Sequence, residues 1–392
     1  MSRTVRRAAH LFVSTAARLL PAHLSSWSRA MARELDEIPH DRAALGFAAG
    51  CFRAAFTLAL VAWLATQRRQ FLQLVPFLTR SFPTMNYLLD RPRSLGLLCA
   101  SVAVGLGLAY MAAGGAPPRY SLVNLAALVL GATAWLGLGR AVSLRLAGNG
   151  RAVFALALPL LATALFGVAA DGASRWVSIG PLGIQVSLIV LPAMIVLYAR
   201  SADAIGTIGL AIAALALAVQ PDRAMAGVLT AGLAGLVLAK PGRLPALALA
   251  VATVAFGATL LLPDTSPAVP FVDRILYTAF GIHVLAGLAV VMGCLALIVP
   301  ALVGVTRSTD QRPVMLAFGA SWLAVVAAAT LGNYPTPLVG YGGSAVLGYL
   351  LSVALLPSGV RETAGVITGK TGPAVGRHSG NDVVAPRVPK LA

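Results

Sequence analysis

The chain has 392 residues, 58% of them hydrophobic and only 11% charged, with a mean hydropathy of +0.84. A soluble domain carries about 25% charged residues, so this composition excludes a water-soluble fold. Lys and Arg outnumber Asp and Glu by 30 to 13, and the glutamates are confined to Glu34, Glu37 and Glu362, which leaves the long apolar middle without one. A formal charge of +17 would suit a nucleic-acid binder, but the basic residues sit in short runs between apolar stretches. That is how a polytopic membrane protein marks its cytoplasmic loops, so the anionic partner implied is membrane lipid, with no nucleic acid. Cys51, Cys99 and Cys294 each stand alone in apolar surroundings and offer no disulfide framework or metal-ligand spacing.

In chain order, residues 1–43 interleave basic and apolar residues and predict an N-terminal arm with a helix on the membrane surface. Residues 44–94 hold an apolar segment, 47–66, and a connection marked by Arg68, Arg69, Arg80, Arg91 and Arg93. Residues 95–357 form the predicted membrane domain, with apolar windows at 95–114, 120–140, 152–170, 184–200, 203–219, 224–239, 244–262, 275–303, 312–332 and 342–357. The fold class expected is all-α, a polytopic bundle of about 10–11 transmembrane helices in a bacterial inner membrane. Residues 358–392, rich in Gly, Pro, Val and basic residues, predict a disordered cytoplasmic tail.

The arginine count places the loops around 171–183, 220–223, 263–274 and 333–341 on the outer face. Eleven spans ending in the cytoplasm would put the Arg-rich arm outside, against the same rule. Segment 47–66, which contains Arg53, is therefore expected to be re-entrant or interfacial.

The outer loops carry an unusual share of the polar residues. The first runs Asp171-Gly172-Ala173-Ser174-Arg175-Trp176-Val177-Ser178-Ile179-Gly180, with Gln185 and Ser187 heading the next helix. The second is Gln220-Pro221-Asp222, the third presents Asp273, and the fourth runs from Tyr334 through Tyr341-Gly342-Gly343-Ser344. In order and spacing these segments resemble the signatures of the SEDS family, the FtsW/RodA/SpoVE group of cell-division and cell-shape membrane proteins. Gly172, Ala173, Arg175, Trp176, Gly180, Gln185 and Ser187 match the first signature in register. Pro221 and Asp222 meet the second, Asp273 to Gly287 keeps the spacing of the third, and Pro337-Leu338 with Tyr341-Gly342-Gly343-Ser344 answers the last.

The resemblance implies a peptidoglycan glycosyltransferase that uses lipid II, an undecaprenyl-linked substrate, together with a transpeptidase or another divisome or elongasome partner. It implies Asp273 as the catalytic base, and substrate binding by Arg175, Trp176, Gln185, Ser187, Asp222, Tyr341, Gly342, Gly343 and Ser344. Asp222 would orient Arg175 or join Asp273 in holding a divalent cation, Mg or Mn.

The residues themselves leave plainer readings open. Arg175 and Trp176 suit a membrane interface, Asp273 could pair with Arg274, and Asp222 could serve a helix N-terminus. The turn-forming glycines 342 and 343 need only make a turn, and His283 would be a neutral intramembrane histidine bonded to a backbone carbonyl. Gly227, Ala231 and Gly235 predict close helix packing.

Departures from the family pattern count against activity. Val186, Leu188 and Leu191 replace its proline, glutamate and lysine, and the large outer loop is reduced to Pro263–Phe271. A catalytically inactive scaffold or regulator of envelope assembly is therefore a second expectation. An O-antigen ligase or polymerase-like enzyme is a third, although no large periplasmic loop supports it.

Overall fold

The computed structural model describes residues 2–20, 24–56, 58–59, 88–142, 150–170, 173–180, 182–263 and 267–357. The chain divides into two compact units, Met1–Asn86 and Tyr87–Ala392.

The first unit contains α1 (Ser2–Leu19), α2 (Ser25–Glu37) and helical backbone over 41–56. Ala9 and Val13 of α1 are buried against Leu35 of α2 and against Ala44 and Ala48. Arg6 donates to the Leu35 and Ile38 carbonyls at 2.9 and 2.6 Å, where the end of α2 leaves carbonyls without helical partners. Leu11 and Trp27 stay 67% and 55% exposed, so the arm keeps an apolar outer stripe. Segment 47–66 is helical as far as it is described. Its remainder, Arg68, Arg69 and Arg80, and the tail from 358 lie outside the described residues.

The second unit is a helix bundle. It runs α3 (Pro92–Ala113), α4 (Pro118–Val142), α5 (Gly150–Phe166), α6 (Val186–Arg200), α7 (Ala204–Val219), α8 (Arg223–Ala239), α9 (Arg243–Leu260), α10 (Ile275–Ile282), α11 (Val284–Ala296), α12 (Val299–Arg307), α13 (Arg312–Leu331) and α14 (Gly343–Ala354). Among the described residues, five apolar segments, α3, α4, α9, the run Val284–Arg307 and α13, are long enough to cross a membrane. Leu238, Leu261 and Leu331 are more than 80% exposed, as expected where the solvent is hydrocarbon. The protein is a multi-pass membrane protein with a helical bundle fold.

The structure corrects the sequence reading at two places. The segment read as a loop at 171–183 contributes to a sheet: β1 (Val168–Ala170), β2 (Ala173–Ile179) and β3 (Leu182–Gln185) are antiparallel in the order β1-β2-β3. Window 275–303 is not one helix either. His283 has an extended backbone (φ −165°, ψ 146°) and separates α10 from α11. Its exposed ring accepts the Leu285 N–H at Nδ1 (3.1 Å), so it caps a helix instead of donating to a carbonyl. A side chain that satisfies one of the orphan N–H groups of α11 ends the preceding helix at the same time.

Helix lengths position the site. α6 is buried along nearly its whole surface, and with 15 residues it spans about 22 Å at 1.5 Å per residue, less than the ~30 Å of a hydrocarbon core. α8, with 17 residues, and α14, with 12, are short too. The N-terminus of α6 continues from β3, and those of α8 and α14 follow the turns at Pro221–Asp222 and Tyr341–Gly342; a membrane tolerates such non-helical backbone only when neighbouring chain satisfies its polar groups. At the opposite end, Arg200 and Arg93 donate to the Leu355 and Leu356 carbonyls at 2.7 and 2.5 Å and close the C-terminus of α14.

Candidate functional site

The β2–β3 hairpin is built from β-branched and aromatic residues around a two-residue turn, with Gly180 at φ 58° where an L side chain is disfavoured. Trp176 pairs with Gln185 and Ile179 with Leu182. The pairing carries Arg175 inward, to 5% exposure. Its guanidinium donates to the Pro221 carbonyl at 2.7 Å and lies 6.0 Å from the centroid of the Tyr334 ring.

Where β3 becomes α6, a buried polar group forms. Asp222 is fully buried; its Oδ2 accepts from Ser187 Oγ at 2.9 Å and from Gln185 Nε2 at 3.3 Å, while Oδ1 accepts the Met225 N–H at 3.3 Å as the N-cap of α8. The Gln185 N–H donates to Ser344 Oγ at 3.1 Å, which ties β3 to the first turn of α14.

Asp273 is 8% exposed and lies in the connection between α9 and α10. One carboxylate oxygen accepts the Val269 N–H at 2.8 Å. Burial raises its pKa above the ordinary aspartate value, and the Val269 hydrogen bond opposes part of that rise. The connection is laced to the loop 334–344: the Thr336 N–H donates to Val272 O at 2.9 Å, and the Tyr341 N–H to Phe271 O at 2.7 Å. Phe271, Arg274 and Leu338 all have left-handed backbones at φ 56–62°, a costly conformation that this lacing holds in place.

Asn124 of α4 secures the same loop from the other side. It is fully buried, donates to Gly340 O at 2.8 Å and accepts the Gly342 N–H at 3.0 Å. Tyr120, one turn earlier, stacks on Tyr341 with centroids 3.8 Å apart. Gly342 has φ 152°, so glycine is needed there for the turn itself, and Gly343 opens α14 against Ala127 and Val123.

Three segments far apart in sequence thus meet one loop, residues 334–344: Tyr120 and Asn124 of α4, the β2–β3 hairpin, and the connection that carries Asp273. Arg175 faces Tyr334, the Asp273 connection pairs with Pro335 and Thr336, and Gln185 holds Ser344 while sharing Asp222 with Ser187. Asn124 was not singled out in the sequence, where a lone amide within an apolar span was the available signal; Tyr334 was named there only as the start of the fourth polar segment.

The anticipated Asp273–Arg274 ion pair does not form: Asp273 turns back to Val269, and among the described residues Arg274 makes no ion pair. Leu188 and Leu191, at the family's acidic and basic positions, are 4% and 0% exposed within the main apolar core. Packed leucines stand where a charged pair would otherwise have to be buried, a replacement that is often neutral or stabilising. Both Asp222 oxygens already accept hydrogen bonds, and among the described residues no cluster of three or more His, Cys, Asp or Glu side chains could hold a metal. The donor set does not fit a cation shared by Asp222 and Asp273.

No family model matches the chain, and no curated protein does. Among solved structures it is similar to the crystal structure of the rod shape determining protein RodA from Thermus thermophilus and to that of a mutant of the same protein. Each is 21% identical at a TM-score of 0.43; the alignments cover 67% of this chain and 94% and 95% of those chains.

Proposed function

We propose that this chain is a SEDS-like protein of the bacterial inner membrane that acts in peptidoglycan synthesis for cell shape or division, joining glycan units carried on undecaprenyl pyrophosphate. The observation that carries this reading is the convergence of Arg175, Gln185 and Asp273 on the loop 334–344, with Asp222 and Ser187 joined to it through Gln185, all from segments that resemble family signatures.

The chemistry needs a base for the attacking sugar hydroxyl and a cation for the pyrophosphate leaving group. Asp273 supplies the base. Its raised pKa makes its carboxylate a stronger proton acceptor than an ordinary aspartate, and among the described residues no ion pair holds it. Arg175 supplies the cation, since a guanidinium binds phosphate oxygens through two parallel hydrogen bonds. Asp222 has a positioning part: through Ser187 and Gln185 it fixes the helix entry beside Arg175.

Purified protein given labelled lipid II tests the reading. Glycan chains from the wild type and none from Asp273→Ala are expected; no product from either protein removes it. The second reading, an inactive scaffold that binds a transpeptidase, is favoured by the apolar packing of Leu188 and Leu191, which leaves no intramembrane charged pair at those positions. It predicts no glycan product together with retention of a partner.

A further inference from the structure

A cleft of about 680 Å³ runs between α8, α9 and α13, within the usual size range of small-molecule sites. Its walls are made of small residues, Gly227 and Ala231 on α8 facing Ala324 and Ala328 on α13. The small-residue stripe on α8 divides in two. At Gly235 a side chain would meet the Leu316 carbonyl at 2.7 Å, so the helices touch there, whereas at Gly227 it would meet only the edge of Phe256 at 3.3 Å. α8 and α13 are therefore in contact at one end and apart at the end nearer Arg223.

Two arginines line this cleft, Arg223 and Arg274. Each is the residue after a carboxylate of the candidate site, and in both pairs the carboxylate is buried within the protein while the arginine lines the cleft. Arg223 donates to the Leu262 and Thr259 carbonyls at 2.7 and 3.4 Å, and its buried Nε has no hydrogen-bond partner. Arg274 is exposed, and among the described residues no carboxylate pairs with either arginine. Two guanidiniums with no carboxylate partner beside an apolar cleft favour an anionic ligand there. Leu260 and Leu331, also on the cleft wall, are 51% and 88% exposed, so the cleft borders lipid-facing surface.

We propose that this cleft binds an anionic glycerophospholipid from the surrounding bilayer, with its phosphate between Arg223 and Arg274 and an acyl chain along the Gly/Ala walls. Guanidinium forks match phosphate oxygens, small side chains leave room for one chain, and the bilayer supplies the ligand at high local concentration. The lipid site does not depend on glycan polymerisation.

The test uses the full-length protein in a neutral detergent, with bound lipid counted by native mass spectrometry after addition of phosphatidylglycerol or of diacylglycerol with the same chains. The wild type is expected to retain phosphatidylglycerol and to release diacylglycerol. Arg274→Gln, at an exposed side chain without an ion pair, is expected to weaken phosphatidylglycerol retention about tenfold with an unchanged unfolding temperature. Ala328→Leu, which narrows the cleft, weakens it as well. Equal retention by Arg274→Gln and wild type, or equal retention of both lipids, overturns the proposal. So does full displacement by millimolar inorganic phosphate, which would make this a free-anion site, or a clear preference for a polyprenyl phosphate. Asp273→Ala should bind phosphatidylglycerol like the wild type, so failure of the lipid site and failure of the polymerase reading are told apart.

Discussion

The Ser187 hydroxyl donates to the Asp222 carboxylate at 2.9 Å and joins the first turn of α6 to the cap of α8. Because Asp222 is fully buried, each of its hydrogen bonds offsets a desolvation cost that water cannot meet. Ser187→Ala leaves that oxygen only the longer Gln185 contact and should lower stability by about 1–3 kcal/mol. Asp222→Ala removes the α8 cap too, adding about 1 kcal/mol. Thermal unfolding in detergent should rank wild type above Ser187→Ala, and Ser187→Ala above Asp222→Ala.

Asn124 should prove as important as any residue of the signature segments. Asn124→Leu would strand the buried Gly340 carbonyl and the partly buried Gly342 N–H, at about 1–3 kcal/mol each. Since these groups belong to the loop that meets Arg175, Asp273 and Gln185, glycan synthesis should fall further than Ser187→Ala makes it fall. Initial rates at equal amounts of folded protein check this.

Asp273 gives a pH prediction with a definite sign. Its carboxyl is raised in the folded protein, so its contribution to stability is complete below the unfolded pKa and is lost as pH rises through the folded one. A base works only when deprotonated, so the polymerisation rate should rise with pH over that same window. The midpoint should lie above the ordinary aspartate value. A pH–rate profile measures it, and the rise should be absent in Asp273→Asn.

Leu188 and Leu191 test whether the apolar replacement can be reversed. Leu188→Glu alone places an unpaired charge in the core and should destabilise by about 3–5 kcal/mol. Residues three apart share a helix face, so adding Leu191→Lys should recover part of that loss. A double-mutant cycle on unfolding temperatures reports the coupling.

The bundle was legible because spanning helices write themselves as uninterrupted apolar windows, and the bounds of α3, α7 and α13 fall close to them. The sheet was not, since the partners of β2 are strands of three and four residues, too short to write an alternating pattern. The break at His283 was hidden for the opposite reason: apolar residues flank it on both sides, and its extended backbone and the cap its ring gives to α11 became visible only in the fold. Asp222 showed both sides of the problem. Its place before a helix was visible as a capping signal, while Ser187 and Gln185, 35 and 37 residues away in sequence, became its partners only through the fold.

The central claim is that Asp273 acts as a base in glycan synthesis, and one comparison tests it most directly. Wild type and Asp273→Asn, matched for unfolding temperature and reconstituted with labelled lipid II, are compared for chain formation on a gel. Polymer from the wild type and none from Asp273→Asn is the result predicted; polymer in equal amount from both would contradict it.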